Sequence, residues 1–214
     1  MQKYGLGHTL RCLGQNRTLT RIYMNVRLSQ ETLKGKVVDI GGGHRPNYFD
    51  YFQRDADVVI DPLDASMSGI DFEKDQLPYE DGSVDTIILC NVLEHVYNYR
   101  FLLSEIHRIM KPSAQMIGFV PFWVGYHADP HDYFRYTDEC LTRIFEDVGF
   151  KNIHIMRIGG SPVIANFNTI MLTFPAFIRP LLFIFYYPFD KLFVHLRPKS
   201  VQRNPLGYVF IMSR

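Results

Sequence analysis

The chain has 214 residues, of which 47% are hydrophobic and 21% charged, with a formal net charge of +1. These values exclude a disordered polyampholyte and a bundle of membrane spans, and they predict one soluble domain with a substantial core. Cys12, Cys90 and Cys140 are too far apart for a zinc motif or a disulfide framework, as expected of a reducing compartment.

The opening residues, MQKYGLGHTLRCLGQ, hold no apolar signal-peptide segment, which predicts a cytoplasmic protein. The small net charge conceals an asymmetry. Six basic residues against Glu31 give residues 1–34 a charge of +5, and six against Asp190 give residues 179–214 another +5. The centre is correspondingly acidic. Basic ends of this kind suit an anionic surface or substrate.

Residues 17–33 place Leu19, Ile22, Tyr23 and Val26 at helical spacing. Residues 36–40, KVVDI, read as a short buried strand, and the three glycines after it permit a tight turn. PNYFDYF (46–52) can then start a crossover helix. ADVVID (56–61) predicts a second strand, GID (69–71) a third, and VDTIILC (84–90) a fourth whose unbroken apolar run suits burial on both faces. YRFLLSEIHRIM puts Leu102, Leu103, Ile106 and Ile109 on one helical face, and AQMIGFVPF (114–122) is the next strand. In TDECLTRIFEDVGF, Thr137 suits a helix N-cap and Gly149 a C-terminal stop. KNIHIMRI and GYVFIMSR complete the strands.

This alternation predicts an α/β fold: a doubly wound, mostly parallel, seven-stranded sheet with right-handed crossovers, and a helical apolar insert before the last strand. One domain is expected, with an N-terminal helical segment (1–34), a ligand-binding core (35–158), the insert (159–205) and a final strand (206–214).

In such sheets the ligand sits beyond the carboxyl ends of the strands. Asp39, at the end of the first strand and just before Gly41, Gly42 and Gly43, would repel a pyrophosphate and attract a cationic ligand. Asp61 follows 22 residues later, a spacing suited to accepting both hydroxyls of a ribose. Asp71 and Phe72 could hold a purine. Asn91 lies at the end of the fourth strand.

The combined pattern DIGGG, LP-x-x-DGS-x-D, N-x-LEHV and E-x-x-R-x-x-KP resembles the class I S-adenosylmethionine-dependent methyltransferases. The likeness is to their small-molecule, type 11-like branch, and it covers residues 35–158 and the final strand. It implies S-adenosylmethionine as cofactor. Asp39 and Gly41 to Gly43 would hold its methionine part, Asp61 the ribose, Asp71 and Phe72 the adenine, and Asn91 would line the floor near the sulfonium. This cofactor has no phosphate and carries an ammonium group, which accounts for the carboxylate of Asp39. The chain departs from the family pattern at Arg45, which replaces a glycine of the turn, and at Pro112-Ser113-Ala114, which replaces the usual PGG.

The loop PFWVGYHADPHDYFRYT follows the fifth strand, where an acceptor must arrive. His127, His131, Asp132 and Arg135 are candidates for chemistry there, with His95 of the LEHV segment. Histidine is the usual base near neutral pH for a hydroxyl nucleophile. The loop is similar to that of bacterial methyltransferases from glycan and cell-surface loci, H-x-x-P-x-D-Y-x-R-Y-T, which implies a sugar hydroxyl in glycan biosynthesis. No metal is expected, because Pro130 interrupts the helix that an i, i+4 histidine pair would need.

Two alternatives stand beside the sugar reading: a lipidic or prenylated acceptor, and a non-catalytic cofactor-binding partner protein. Nucleic acid is disfavoured, since Cys90-Asn91-Val92-Leu93 stands where base-modifying relatives carry N/D/S-P-P-Y/F. The insert contains FPAFIRPLLFIFYYPFDKLFVHL, too rich in proline and glycine upstream for a membrane span. It is expected to form helices beside the loop at residues 122–137, with peripheral contact to the inner face of the membrane through its remaining apolar surface.

Overall fold

The computed structural model describes residues 4–43 and 47–214 and resolves them into two compact units. The chain begins with α1 (Leu6–Gly14) and α2 (Leu19–Leu28). There follow β1 (Thr32–Leu33), β2 (Lys36–Ile40), β3 (Gln53–Arg54), β4 (Val59–Leu63), α3 (Ala65–Ser68) and β5 (Val84–Cys90). After these come α4 (Tyr99–Ile109), β6 (Met110–Pro121), α5 (Asp138–Val148) and β7 (Lys151–Ile158). The last elements are α6 (Pro162–Ile170), α7 (Arg179–Leu196) and β8 (Gly207–Ser213).

The larger unit comprises Leu28–Pro121, Tyr126–Met156 and Tyr208–Arg214. Its main sheet has the order β4-β2-β5-β6-β8-β7, with β4, β2, β5 and β6 paired in parallel. Chain order reverses between β2 and β5, so the crevice beyond their carboxyl ends is the expected ligand site. Val37, Val38, Ile87, Ile88 and Leu89 are fully buried, as strands covered on both faces require. Leu102, Leu103, Ile106 and Ile109 of α4 and Leu141 and Phe145 of α5 pack into the same core. The caps of α5 are as expected: the Cys140 amide donates to the Thr137 hydroxyl, and Gly149 takes a left-handed φ of 105°.

Gly118 of β6 shows how tightly the sheet is packed. A Cβ there would lie 2.2 Å from the Phe210 ring and 2.3 Å from the Leu89 carbonyl oxygen, so no larger residue fits without displacing β5 or β8.

The E-x-x-R spacing has a structural meaning. Glu105 and Arg108, three residues apart on α4, pair at 2.7 Å. Arg108 also donates to the carbonyls of Leu77 and Tyr79 and to Asp81, while Glu105 accepts from the Leu77 amide. One ion pair thus holds the LPYEDG loop that leads into β5. Arg108 keeps the Glu105 carboxyl below its ordinary range.

Three expectations need correction. The GID segment is not a strand: Gly69 caps α3 with a φ of 71°, and Asp71 turns the chain by accepting from the Glu73 amide. The main sheet therefore has six strands instead of seven. No helix forms at Asn47–Phe52, where a turn buries Tyr48, Phe49 and Phe52. The chain there is drawn into the small parallel pairing of β3 with β1. Pro46, like the Arg45 departure, lies outside the described residues. Finally, β4 starts at Val59 and runs to Leu63, through Pro62, which an edge strand tolerates.

The smaller unit comprises Met1–Arg27, Phe122–Gly125 and Arg157–Gly207. The expected helical insert is present as α6 and α7. Its core joins Cys12, Leu13, Leu19 and Ile22 to Ile164, Phe167, Met171, Phe183 and Leu206. Asp190 accepts from the Ser161 amide and hydroxyl, and Arg179 donates to Asn16 and to the Phe174 carbonyl. Trp123 joins this unit by donating to Thr169. Among the described residues, no helix is long and apolar enough to cross a membrane.

Candidate functional site

A cavity of about 640 Å³ opens at the carboxyl edge of β2 and β5, lined on one side by Gly41, Asp64, Asp71, Phe72 and Asn91. Its other side is formed by His95, Asp129, Pro130, His131 and Tyr133. The sheet topology and the cavity thus agree on the position of the site.

The glycine turn is built on Asp39. That side chain is 0% exposed, and both its oxygens lie 2.9 Å from the Tyr48 hydroxyl. A Cβ at Gly42 would come within 1.6 Å of Asp39 Oδ2, so only glycine lets the turn close over the carboxyl. Gly41 and Gly43 take left-handed φ values of 75° and 55°. Burial pushes the Asp39 carboxyl up to about 8, against the lowering effect of the Tyr48 hydrogen bond. Asp39 lies beneath the turn and is not a cavity-lining residue; Gly41 is.

Asn91 also has a left-handed φ, 57°, and its amide donates to the Phe119 carbonyl at 2.9 Å. This bend at the end of β5 turns Asn91 and Val92 onto the cavity wall. Asp71 and Phe72 line the cavity. Asp71 pairs with Lys74 at 2.8 Å, and that contact holds its carboxyl below the ordinary range.

Asp61 is elsewhere. It lies mid-strand opposite Val38 and accepts a hydrogen bond from the Tyr79 hydroxyl at 2.8 Å. With Lys36, Asp57 and Asp85 it lines a different concavity, at the amino ends of the strands. The acid that reaches the carboxyl edge is Asp64, directly after β4. It caps α3 by accepting from the Ser66 amide at 2.9 Å and lines the cavity. The sequence reading ended this strand two residues early, at Asp61, and so passed over Asp64; the N-cap signature D-A-S was the available signal.

On the opposite wall, the Nδ1 of His95 lies 2.5 Å from the His131 carbonyl oxygen and donates to it. The His95 and His127 rings meet edge to face at 5.1 Å. Asp132 and Arg135 form a bidentate pair, at 2.6 and 2.8 Å, and the His127 amide donates to Asp132 at 2.9 Å. Arg135 Nη2 also lies 3.4 Å from His127 Nδ1. The guanidinium holds the Asp132 carboxyl far below its usual range. Asp132 and Arg135 therefore act as a clasp for the loop, and neither lines the cavity. Of the histidines expected here, His95 and His131 reach the cavity and His127 stands behind them.

A family profile described as a methyltransferase domain matches residues 16–155. The chain belongs to the class I S-adenosylmethionine-dependent methyltransferases. No curated protein matches it. Solved structures share the methyltransferase fold at low identity. An S-adenosylmethionine-dependent methyltransferase from Archaeoglobus fulgidus matches at TM-score 0.51 and 15% identity, over 100% of this chain and 96% of that one. Phosphoethanolamine N-methyltransferase 2 of Haemonchus contortus, in complex with S-adenosylmethionine, matches at TM-score 0.51 and 16% identity over 91% of this chain. This methyltransferase chain spans 52% of that protein's length. The cyclase SpnF matches at TM-score 0.53 and 14% identity, over 91% of this chain and 80% of its own. The last likeness illustrates that a shared fold does not by itself fix the reaction.

The residues present fit the family's cofactor. The glycine turn leaves its backbone open where a Cβ at Gly41 or Gly42 would clash with Val92 or Asp39, the cavity has room for a nucleoside, and acids and an aromatic ring line it. None of the lining carboxylates would suit a pyrophosphate.

Proposed function

We propose that this methyltransferase moves a methyl group from S-adenosylmethionine to a hydroxyl oxygen of a sugar or related small molecule, a precursor of cell-surface glycan. The observation that carries the reading is that His95 and His131 line the same cavity as Asp64, Asp71, Phe72 and Asn91. A base and a nucleoside site thus share one chamber.

In this reading Asp64, and not Asp61, accepts the ribose hydroxyls. Phe72 and Asp71 hold the adenine, and Gly41 to Gly43 with Asn91 receive the methionine part. Asp39 acts from below by holding the turn and supplying a carboxyl that ionises when an ammonium group approaches. When bound, the cofactor supplies a methyl group made electrophilic by its sulfonium. His131, on the exposed loop, takes the proton of the acceptor hydroxyl. The Asp132–Arg135 clasp fixes that loop, and Tyr133 restricts water. Phosphoethanolamine N-methyltransferase 2, as its name says, methylates a small amine, which supports a small-molecule acceptor without choosing oxygen over nitrogen.

A second reading rests on the smaller unit. Leu181, Ile184, Phe185, Phe189, Leu192 and Leu196 of α7 are all exposed and fall on one helical face. Lys191, Arg197 and Lys199 are exposed nearby. This surface supports peripheral contact with an anionic membrane, at the cytoplasmic face, and a lipid-linked acceptor.

The deciding experiment supplies methyl-labelled cofactor and the purified chain to nucleotide-sugar, glycan and lipid extracts and identifies labelled products by mass spectrometry. A methyl ether on a sugar is the expected product. Label confined to lipid selects the second reading, and cofactor binding with no label in any extract overturns both.

A further inference from the structure

Three side chains outside the cofactor half of the cavity converge in a way that methyl transfer itself does not require. Glu94, His95 and His127 each bring one ligand atom to a point where all three lie within 4.8 Å of one another. They come from two segments: Glu94 and His95 from the short turn after β5, His127 from the loop after β6. We propose that they form a binding site for one divalent transition ion, of the zinc and cobalt class, beside the acceptor end of the cavity.

The donor set is two imidazoles and a carboxylate, which favours zinc, cobalt or nickel over magnesium or calcium, whose sites are built from oxygen. Glu94 is 0% exposed, and its carboxylate Oε1 stands 3.7 Å from His95 Nε2. A cation between them would interact favourably with the buried carboxylate. His95 is oriented from behind, as metal-bound histidines are. His95 Nδ1 donates to the His131 carbonyl oxygen at 2.5 Å, which leaves its Nε2, the atom facing Glu94, as the free lone pair. Around His127, Asp132 Oδ2 lies 3.6 Å and Arg135 Nη2 3.4 Å from Nδ1. Arg135, whose Nη2 lies 3.4 Å from His127 Nδ1, is held by its bidentate bond to Asp132.

The site keeps room for a further ligand. His127 is only partly buried, and His95 also lines the cavity, so three protein ligands would leave a fourth position for water or an acceptor oxygen. The set differs from the His127, His131 and Asp132 spacing visible in the sequence, because Asp132 is committed to Arg135 and His131 contributes its backbone.

The inference does not depend on which acceptor is methylated, and its test is separable from the methyltransferase reading. The full chain is treated with chelator, dialysed and titrated with Co²⁺, following visible d–d absorption, then with Zn²⁺ in competition. One equivalent is expected to bind, and Zn²⁺ to displace it. His127→Ala, a loop variant that should fold, is expected to lose at least about tenfold in affinity, as is Glu94→Gln. His154→Ala, on the exposed face of β7, should bind as wild type. Thermal melting and S-adenosylmethionine binding, measured on each variant, report folding and the cofactor site independently. Absence of saturable Co²⁺ binding in chain that still binds S-adenosylmethionine would overturn the site, and so would unchanged binding in His127→Ala.

Discussion

The Tyr48 hydroxyl lies 2.9 Å from both oxygens of Asp39, and the pair is sealed beneath the glycine turn. Burial raises the Asp39 carboxyl from 3.8 to about 8, so in the ligand-free fold this acid keeps its proton at pH values where the unfolded chain has lost it. For a carboxyl with a raised folded value, stability falls as pH rises between the two values and levels off above the higher one. Between about pH 4 and 8, Asp39→Asn should gain on wild type by up to about 1.4 kcal/mol per pH unit. Urea unfolding of both proteins at pH 5, 6.5 and 8 measures the difference. Parallel pH dependences would mean that Asp39 is ionised in the fold.

The two acids of the second parallel strand region make opposite predictions. Asp64→Ala should weaken S-adenosylmethionine binding by about 1.5–3 kcal/mol, as expected for hydrogen bonds to a charged group. Asp61→Ala should leave it near wild type, because Asp61 faces Tyr79 at the other end of the sheet. Calorimetry on the folded variants decides. The reverse ranking would return the ribose to Asp61.

His131→Ala should reduce turnover about 100-fold or more while cofactor affinity stays near wild type. Single-turnover assays with the acceptor identified by the extract screen provide the check. Full activity would show that acceptor positioning alone suffices.

Arg108→Met leaves Glu105, which is largely buried, without its cation and frees the loop at Leu77 and Tyr79. A loss of about 3 kcal/mol in stability is expected, at the scale of a broken buried ion pair. Because Arg108 depresses the Glu105 carboxyl, the wild type should lose this contribution as pH falls through that lowered value, whereas Arg108→Met should not. Adding Glu105→Gln should recover part of the loss, which a double-mutant cycle would quantify.

Phe185→Glu with Phe189→Glu changes two side chains that are exposed on α7, so melting should be little affected. Flotation with anionic vesicles should fall sharply relative to wild type, and wild-type binding should weaken at high salt. Equal flotation of both proteins would remove the membrane surface from α7.

Much of the architecture was legible in the residues. VDTIILC and KNIHIMRI form β5 and β7 with the expected bounds, and Thr137 and Gly149 delimit α5. These segments carry their own signals: an unbroken apolar run, a side-chain cap, a residue free to turn left-handed. The family pattern was legible for the same reason, since the glycine turn and LEHV follow strands that the apolar runs mark.

Tertiary structure decided what depends on register and on distant partners. Whether Asp61 or Asp64 meets the cavity turns on where an edge strand ends, and local propensity does not fix that when pairing with β2 carries the strand through Pro62. Pairing of β3 with β1 replaced an expected helix by a turn, because backbone hydrogen bonds to a remote segment outweighed local preference. The juxtaposition of Glu94 and His95 with His127, and the commitment of Asp132 to Arg135, arise only when the loop after β6 folds back toward the end of β5. A chain written in one dimension specifies which groups are available; the sheet decides which of them share a wall.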